Sequence, residues 1–226
     1  MIKNEEYNMN RLMSIIMPVK NGENYLKEAI LSILKQNMNL EIIVVDDGST
    51  DNTVQIAESL GCKVISHKTS KGQVIAKNTG IKVTNGDFII FCDHDDLLAE
   101  GSLKKFYEEF ENPEIEVVIA KIKDFISPDA KNQEQKIKDE PYYGCLAGSM
   151  MIKKSVFEKI GLFDENIKAG EIISLTNKFQ EFNINTKKID FISSKRRIHD
   201  TNYGKTNKGN EFKDYASLLR AKLGRK

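Results

Sequence analysis

Phe88-Ile89-Ile90-Phe91-Cys92-Asp93-His94-Asp95-Asp96 is the stretch from which the rest of the chain is read. Five apolar residues in a row have the length and composition of a strand buried on both faces. Three carboxylates then arrive within four residues. Like charges this close raise one another's pKa unless a cation sits among them. Oxygen-rich clusters of this kind suit Mg2+ or Mn2+, ions commonly shared with substrate phosphates. The carboxyl ends of strands in an open α/β sheet are also where ligands bind. A solvated acidic loop or a helix N-cap would account for one such Asp; three at a strand end favour a binding role.

Working outward, the chain before this stretch alternates strands and helices. Residues 13–19 read as a buried strand, and 25–35 carry Leu26, Ala29, Ile30, Ile33 and Leu34 at helical spacing. Strands follow at 41–45 and 63–66, and helices at 51–60 and 72–83. This βαβαβαβ order predicts parallel strands with right-handed crossovers. Beyond the acidic stretch the pattern is less regular. Helices are expected at 103–110, 155–160 (closed by Gly161) and 175–182, and strands at 116–123 and 191–198. The polar segment 127–143, with Pro128 and Pro141, reads as a loop, either a lid over a ligand or a plain surface connection. The fold class expected is a single α/β domain with a mixed, mainly parallel central sheet flanked by helices.

Bulk composition narrows the function classes. Of 226 residues, 40% are hydrophobic, enough for a sizeable core, and 30% are charged with a net charge of +1, so no nucleic-acid partner is indicated. No apolar run is long enough to span a bilayer. The first ten residues are polar and include Glu5 and Glu6, unlike a secretory signal. Three widely spaced cysteines, Cys62, Cys92 and Cys145, give neither a disulfide framework nor a zinc site and point to the cytoplasm. The tail is basic from Lys195 onward, and 212–223 is amphipathic. It suits peripheral contact with anionic lipid at the inner face of a membrane, or a solvated terminal helix in a homodimer contact. There is no Gly-x-Gly-x-x-Gly or Walker loop.

A second motif, Asp46-Asp47-Gly48-Ser49-Thr50-Asp51, follows the strand at 41–45. Gly48 allows a tight turn, and Ser49, Thr50 and Asp51 can cap the next helix. Asp46 at the strand end either serves that connection or accepts a hydrogen bond from a nucleobase imide or ribose hydroxyl.

Taken with Ile16-Met17-Pro18-Val19-Lys20-Asn21-Gly22 at the end of the first strand, these motifs resemble the family 2 glycosyltransferases of GT-A fold. Gly72-Gln73-Val74-Ile75-Ala76-Lys77-Asn78-Thr79-Gly80-Ile81 is similar to the family's Gly-x-x-x-Ala-Arg-Asn-x-Gly-Ile segment. Ser149-Met150-Met151-Ile152 and Gly161-Leu162-Phe163-Asp164-Glu165 resemble its acceptor-side stretch. The likeness spans about 13–199. It implies that Pro18, Val19 and Asn21 line the donor nucleotide pocket and that Asp46, rather than Asp47, holds the base. Lys77 stands where the family usually has Arg, near base or diphosphate, as a point charge in place of a bidentate fork. Asp93 and Asp95 form the Asp-x-Asp motif, Asp93 toward the ribose and the metal and Asp95 on the metal. Asp96 is a neighbouring carboxylate or a helix cap, and His94 occupies the variable position.

Arg196-Arg197-Ile198-His199-Asp200-Thr201-Asn202 looks like a segment that some members carry after the last core strand. A neutral imidazole can complete a metal shell and Arg can clamp a diphosphate, which assigns His199 to the metal and Arg197 to the donor. Alternatively His199 is a surface histidine. If the strand alternates, one of Arg196 and Arg197 points inward and the other outward.

The general base is where the chain departs from the family. Inverting members usually offer a Glu-Asp pair; here Glu171 is followed by Ile172. Glu171 is therefore the candidate base, and the alternative is a non-catalytic nucleotide-sugar-binding module or scaffold. The expected reaction is Mn2+- or Mg2+-dependent inverting transfer from a nucleotide-sugar donor, UDP-linked by family preference. Its acceptor hydroxyl belongs to a saccharide, lipid-linked saccharide or peptide, in bacterial glycan or glycoconjugate synthesis. The domain layout expected is an N-terminal tail (1–12), a GT-A domain (13–203; nucleotide half 13–100, acceptor half 101–203) and a basic C-terminal tail (204–226).

Overall fold

Every position of strand β1 (Met13–Val19) is buried, as a strand covered on both faces requires. The protein is described by a computed structural model over residues 11–134, 137–144, 146–167 and 170–202. In it β2 (Leu40–Asp46) pairs parallel with one side of β1, with β3 (Lys63–Ser66) beyond it, and β4 (Phe88–Phe91) pairs parallel with the other side. The connections are α1 (Leu26–Leu34), α2 (Thr53–Ser59) and α3 (Gln73–Lys82). The expected βαβαβαβ unit is present, with ends shifted by one or two residues. Asp51 precedes Asn52, the N-cap of α2, and its carboxylate accepts the Thr53 amide at 3.0 Å.

The second half holds β5 (Leu97–Leu98), α4 (Ser102–Glu109), β6 (Val117–Ile126), β7 (Tyr142–Tyr143), β8 (Met150–Lys153), α5 (Lys154–Ile160), α6 (Glu171–Glu181) and β9 (Thr186–Ile198). Among the described residues the nine strands form one sheet, in the order β3-β2-β1-β4-β8-β6-β9-β5, with β7 on β6. β8 joins the halves by pairing antiparallel with both β4 and β6. β9 runs parallel to β6 through two register shifts, and β5 closes on β9 antiparallel. The mixed, mainly parallel α/β sheet is as expected. Three local expectations are corrected: Tyr142–Tyr143 is a strand and not loop, α6 begins at Glu171 rather than 175, and β9 begins at Thr186 rather than 191; β8 is a further strand.

Alternation along the strands divides the core into two layers. Ile15, Met17, Val44 and Ile90 face α1, α2 and α4, whereas Ile16, Ile43, Val45 and Ile89 face α3, α5 and α6. α3 lies close on the sheet because residue 80 is glycine: a methyl there would overlap the Ile16 side chain. Gly80→Ala is expected to destabilise the fold by about 1–3 kcal/mol through overpacking. A lowered chemical-denaturation midpoint is the readout; an unchanged midpoint would mean that Ile16 yields freely. No helix among the described residues is long and apolar enough to cross a membrane. The basic tail from 204, residues 1–10 and Cys145 lie outside the described residues.

Candidate active site

The carboxyl ends of β1, β2 and β4 open on one cleft of about 970 Å3, where a parallel sheet is expected to hold its ligand. Pro18 and Val19 at the end of β1 and Asn21 just beyond it line the cleft, as do Asp93 to Asp96 after β4. Gln73 and Lys77 reach it from one face of α3, Glu171 from the first turn of α6, and Arg196 and His199 from the end of β9.

The three carboxylates after β4 have different surroundings. Asp95 Oδ2 lies 2.9 Å from His199 Nε2. His199 is itself fixed: Thr201 Oγ1 is 3.0 Å from Nδ1, its amide donates to Asn202 Oδ1 at 2.6 Å, and Asn202 Nδ2 donates to the Arg197 carbonyl at 3.0 Å. Asp93 turns to α3, accepting a hydrogen bond from Gln73 Nε2 at 3.3 Å. Asp96 accepts the Arg197 amide at 2.8 Å. Burial raises the Asp93 carboxyl, against the nearby Lys77 charge, and burial plus the Asp95 and Asp93 charges raises Asp96 well above the usual range. Burial acts the same way on Asp95, but the His199 hydrogen bond and the His94 and His199 charges outweigh it and leave Asp95 lowered.

Asp95 and His199 fit a small divalent ion. Ligands about 2.1 Å from an octahedral ion sit about 3.0 Å apart along an edge, and the observed oxygen–nitrogen separation is 2.9 Å. Asp93 does not complete that pair. Among the described residues no group of three or more His, Cys, Asp or Glu side chains forms a ready-made cage. Two such protein ligands would leave room for water and phosphate oxygens, the usual arrangement for Mg2+.

Of the two arginines, Arg197 is buried and Arg196 half-buried, so the expected alternation is present. It is Arg196 that lines the cleft. Arg197 Nε donates to the Asp95 carbonyl at 2.8 Å, Nη1 to Ser127 Oγ at 3.2 Å and Nη2 to Glu28 Oε2 at 2.5 Å. Its guanidinium lies between the Tyr25 and Phe125 rings, 4.8 Å from each centroid. The assignment of Arg197 to the donor is therefore not met by its side-chain geometry. Tyr25 also stacks 4.7 Å from the His199 ring and donates to Asp129 Oδ2 at 2.7 Å. Sequence reasoning passed over Tyr25 as a helix start; no local signal marks its partners.

Lys77 and Glu171 are paired. The Lys77 ammonium, on a side chain 1% exposed, donates to Glu171 Oε1, and both residues line the cleft. Burial would raise the Glu171 carboxyl, yet the Lys77 charge and hydrogen bond outweigh it and hold the group below its ordinary value. Ile172, in place of the family's Asp, is buried on the cleft wall and packs in the α3-side core.

At the end of β2 the two aspartates divide. Asp46 is buried and accepts the Ser49 amide at 2.9 Å; Asp47 lines the cleft. Asp47 binds the chain before α3: Oδ1 accepts from Lys71 N and meets His67 Nδ1, both at 2.8 Å, and Oδ2 accepts from Ser70 Oγ at 2.6 Å and Gly72 N at 2.8 Å. Burial raises this carboxyl, but the Ser70, His67, Lys71 and Gly72 bonds together leave it lowered. A lowered folded-state pKa stabilises above the ordinary value of 3.8, and that stabilisation is lost as pH falls through the folded value. Asp47→Ala is expected to destabilise by about 1–3 kcal/mol at neutral pH and to flatten the acid limb of stability below pH 3.8. Urea midpoints from pH 2 to 7 test this; parallel wild-type and variant curves would exclude it.

Comparisons with known proteins complete the picture. The sequence profile described as Glycosyl transferase family 2 matches residues 14–163. An uncharacterized glycosyltransferase of Rickettsia typhi is 33% identical over 228 residues, which cover 92% of this chain and 70% of the relative. S. aureus TarS 1-349 in complex with UDP-GlcNAc is 25% identical with a TM-score of 0.68, over 84% of this chain and 60% of that one. The mannosyltransferase PcManGT of Pyrobaculum calidifontis, solved with GDP-Man and Mn2+, shares the fold at a TM-score of 0.72 and 17% identity, over 96% of this chain and 64% of that one. The chain thus spans under two thirds of these two solved chains.

Proposed function

Because the chain belongs to glycosyl transferase family 2 and is a glycosyltransferase of GT-A fold, we propose that it performs metal-dependent, inverting sugar transfer from a UDP-linked donor to an acceptor hydroxyl. The observation that carries this reading is one cleft holding two pairs, Asp95 with His199 and Lys77 with Glu171. The first suits a divalent ion and the second an ionised base. Asp95 and His199 would hold Mn2+ or Mg2+, which when bound neutralises charge on the departing diphosphate.

The remaining chemistry belongs to the chain's own groups. Pro18, Val19 and Asn21 form the wall beside the donor nucleotide. Asp46 and Asp47 stand at the base-binding end, Asp47 fixing the 67–72 segment and Asp46 the Ser49 turn. Asp93, held by Gln73, faces the donor's ribose. Arg196 brings a cation on the cleft wall to the diphosphate, and Arg197 is a positioning residue that anchors the Asp95 carbonyl to α1 through Glu28. Glu171 accepts the acceptor's proton as that oxygen bonds to the anomeric carbon and the bond to the diphosphate oxygen breaks. The nucleotide half (13–100) supplies Lys77 and the acceptor half (101–203) supplies Glu171, so the pair marks where the two halves meet. The acceptor class is a saccharide, lipid-linked saccharide or peptide, at the cytoplasmic face of a membrane.

The test is calorimetric titration of UDP, GDP, dTDP and their sugar conjugates, with and without Mn2+, on wild type and Asp95→Asn. Mn2+-dependent binding of a uridine nucleotide, lost in the variant, is expected. Equal binding without metal, or by the variant, would overturn the metal assignment.

A further inference from the structure

Asp95 and His199 reach the cleft from strands that are not neighbours in the sheet. Asp95 follows β4 and His199 follows β9, with β8 and β6 between those strands. Their backbones are brought together where β5 pairs with β9 and where the Arg197 amide donates to Asp96 Oδ1 at 2.8 Å. Neither contact sets the plane of the His199 ring. Thr201 and Tyr25 act on that ring without using Nε2, the atom that faces Asp95. Thr201 meets one edge, at Nδ1. Tyr25 packs ring against ring, with 4.7 Å between centroids and 48° between planes, inside the range over which aromatic pairs attract.

Tyr25, the residue before α1, is itself held. Its ring lies 4.8 Å from the Arg197 guanidinium, within reach of a cation–π attraction, and its hydroxyl donates to Asp129 Oδ2 at 2.7 Å. Asp129 lies in a turn pinned on both sides of His199. The Ser127 amide donates to the Ile198 carbonyl at 2.9 Å, and the Lys131 amide donates to Asp200 Oδ2 at 3.0 Å. Inside the turn the Ser127 hydroxyl donates to Asp129 Oδ1 and accepts from Arg197 Nη1 at 3.2 Å. A closed circuit results, from Tyr25 through Asp129, Ser127 and Arg197 back to the Tyr25 ring, and the His199 ring packs on it. Tyr25 lines the cleft, but its hydroxyl proton is already given to Asp129. A ring that only filled space would need none of these polar partners.

We propose that Tyr25 is a positioning residue: its ring, set by the hydrogen bond to Asp129, holds the His199 imidazole with Nε2 toward Asp95. That a divalent ion uses the result rests on the metal reading above; the fixing of the imidazole does not.

Three variants of the full chain test this. Tyr25→Leu removes the ring, and Tyr25→Phe keeps the ring and removes the hydroxyl. Asp129→Ala removes the acceptor of that hydroxyl from an exposed position, where the fold is least at risk. Two readouts are taken on the same samples: the imidazole nitrogen NMR signals of His199 in the metal-free chain, and the affinity for Mn2+ alone, read from the paramagnetic resonance of the free ion. Wild type is expected to give one sharp set of His199 ring signals. Tyr25→Leu is expected to broaden them and to weaken Mn2+ binding about 10–100-fold, the usual cost of losing the group that orients a metal ligand. Tyr25→Phe and Asp129→Ala are expected to share one smaller loss, and combining them to lose no more than either alone, since both break the same bond. His199 signals as sharp in Tyr25→Leu as in wild type would overturn the proposal, and so would wild-type Mn2+ affinity in that variant. Losses that add in the double variant would show that Asp129 acts apart from Tyr25 and would overturn the circuit. A wild type that binds no Mn2+, with His199 signals that still depend on Tyr25, would sink the metal reading and leave this positioning role standing.

Discussion

Glu171→Gln is expected to lower sugar transfer by about 10²–10⁴-fold, the usual contribution of a positioned general base, while leaving donor binding intact. The amide keeps the size of the carboxylate and still accepts a hydrogen bond from Lys77, but it cannot take a proton. Single-turnover transfer measured beside calorimetric donor affinity separates the two effects. Loss of both together would make Glu171 a structural partner of Lys77. Retained transfer would place the base elsewhere, and no turnover in the wild type, with donor binding intact, would revive a non-catalytic nucleotide-sugar-binding scaffold, the reading that Ile172 invites. The pH dependence follows from Lys77. Because Glu171 is held below its ordinary value of 4.5, it stays ionised through the neutral range. Its own acid limb of activity is expected only as pH falls below that value.

Lys77→Met is expected to cost stability on the order of 3–5 kcal/mol, because it strands the Glu171 carboxylate in a buried site without its cation. Attraction inside the cleft does not make the pair a net stabiliser; removing one half exposes the desolvation penalty of the other. The double variant Lys77→Met with Glu171→Gln is therefore expected to recover much of the loss, with a coupling of about 1–3 kcal/mol. Additive losses would show that the two side chains are not coupled. The sign against pH is fixed by Glu171. Its lowered folded-state pKa stabilises above the ordinary value and is lost as pH falls through the folded one. Without Lys77, burial raises the carboxyl instead, and the variant is expected to gain stability on mild acidification while the wild type does not.

The N-terminal half was legible because strands covered on both faces announce themselves as continuous apolar runs, as β1, β2 and β4 do. The second half was not. β9 opens on Thr186, Lys187 and Lys188, all exposed, and is made a strand by its ladder with β6 rather than by its own pattern. α6 opens on Glu171 followed by Ile172 and Ile173, two β-branched residues of modest helix propensity, so periodicity alone placed its start four residues late. At the site, residue types at strand ends pointed to the right cleft, but side-chain partners did not follow from them. Lys77 and Glu171 are 94 positions apart, and no spacing rule joins them. The choice between Arg196 and Arg197 depended on the pairing and register shifts of β6 and β9.

Pro18 gives the cleft a property that its volume does not express. The Ile16 carbonyl turns toward β4, where the Cys92 amide donates to it at 2.9 Å, and the β1–β4 ladder ends at Ile16 and Phe91. Strand alternation turns position 18 to the same side, and a proline there has no N–H to offer. The seam between these two strands cannot be zipped one rung further by any fluctuation of the backbone. The mouth of the pocket is thus kept apart by a missing proton in the covalent chain, and a ligand arriving from solution meets it already open.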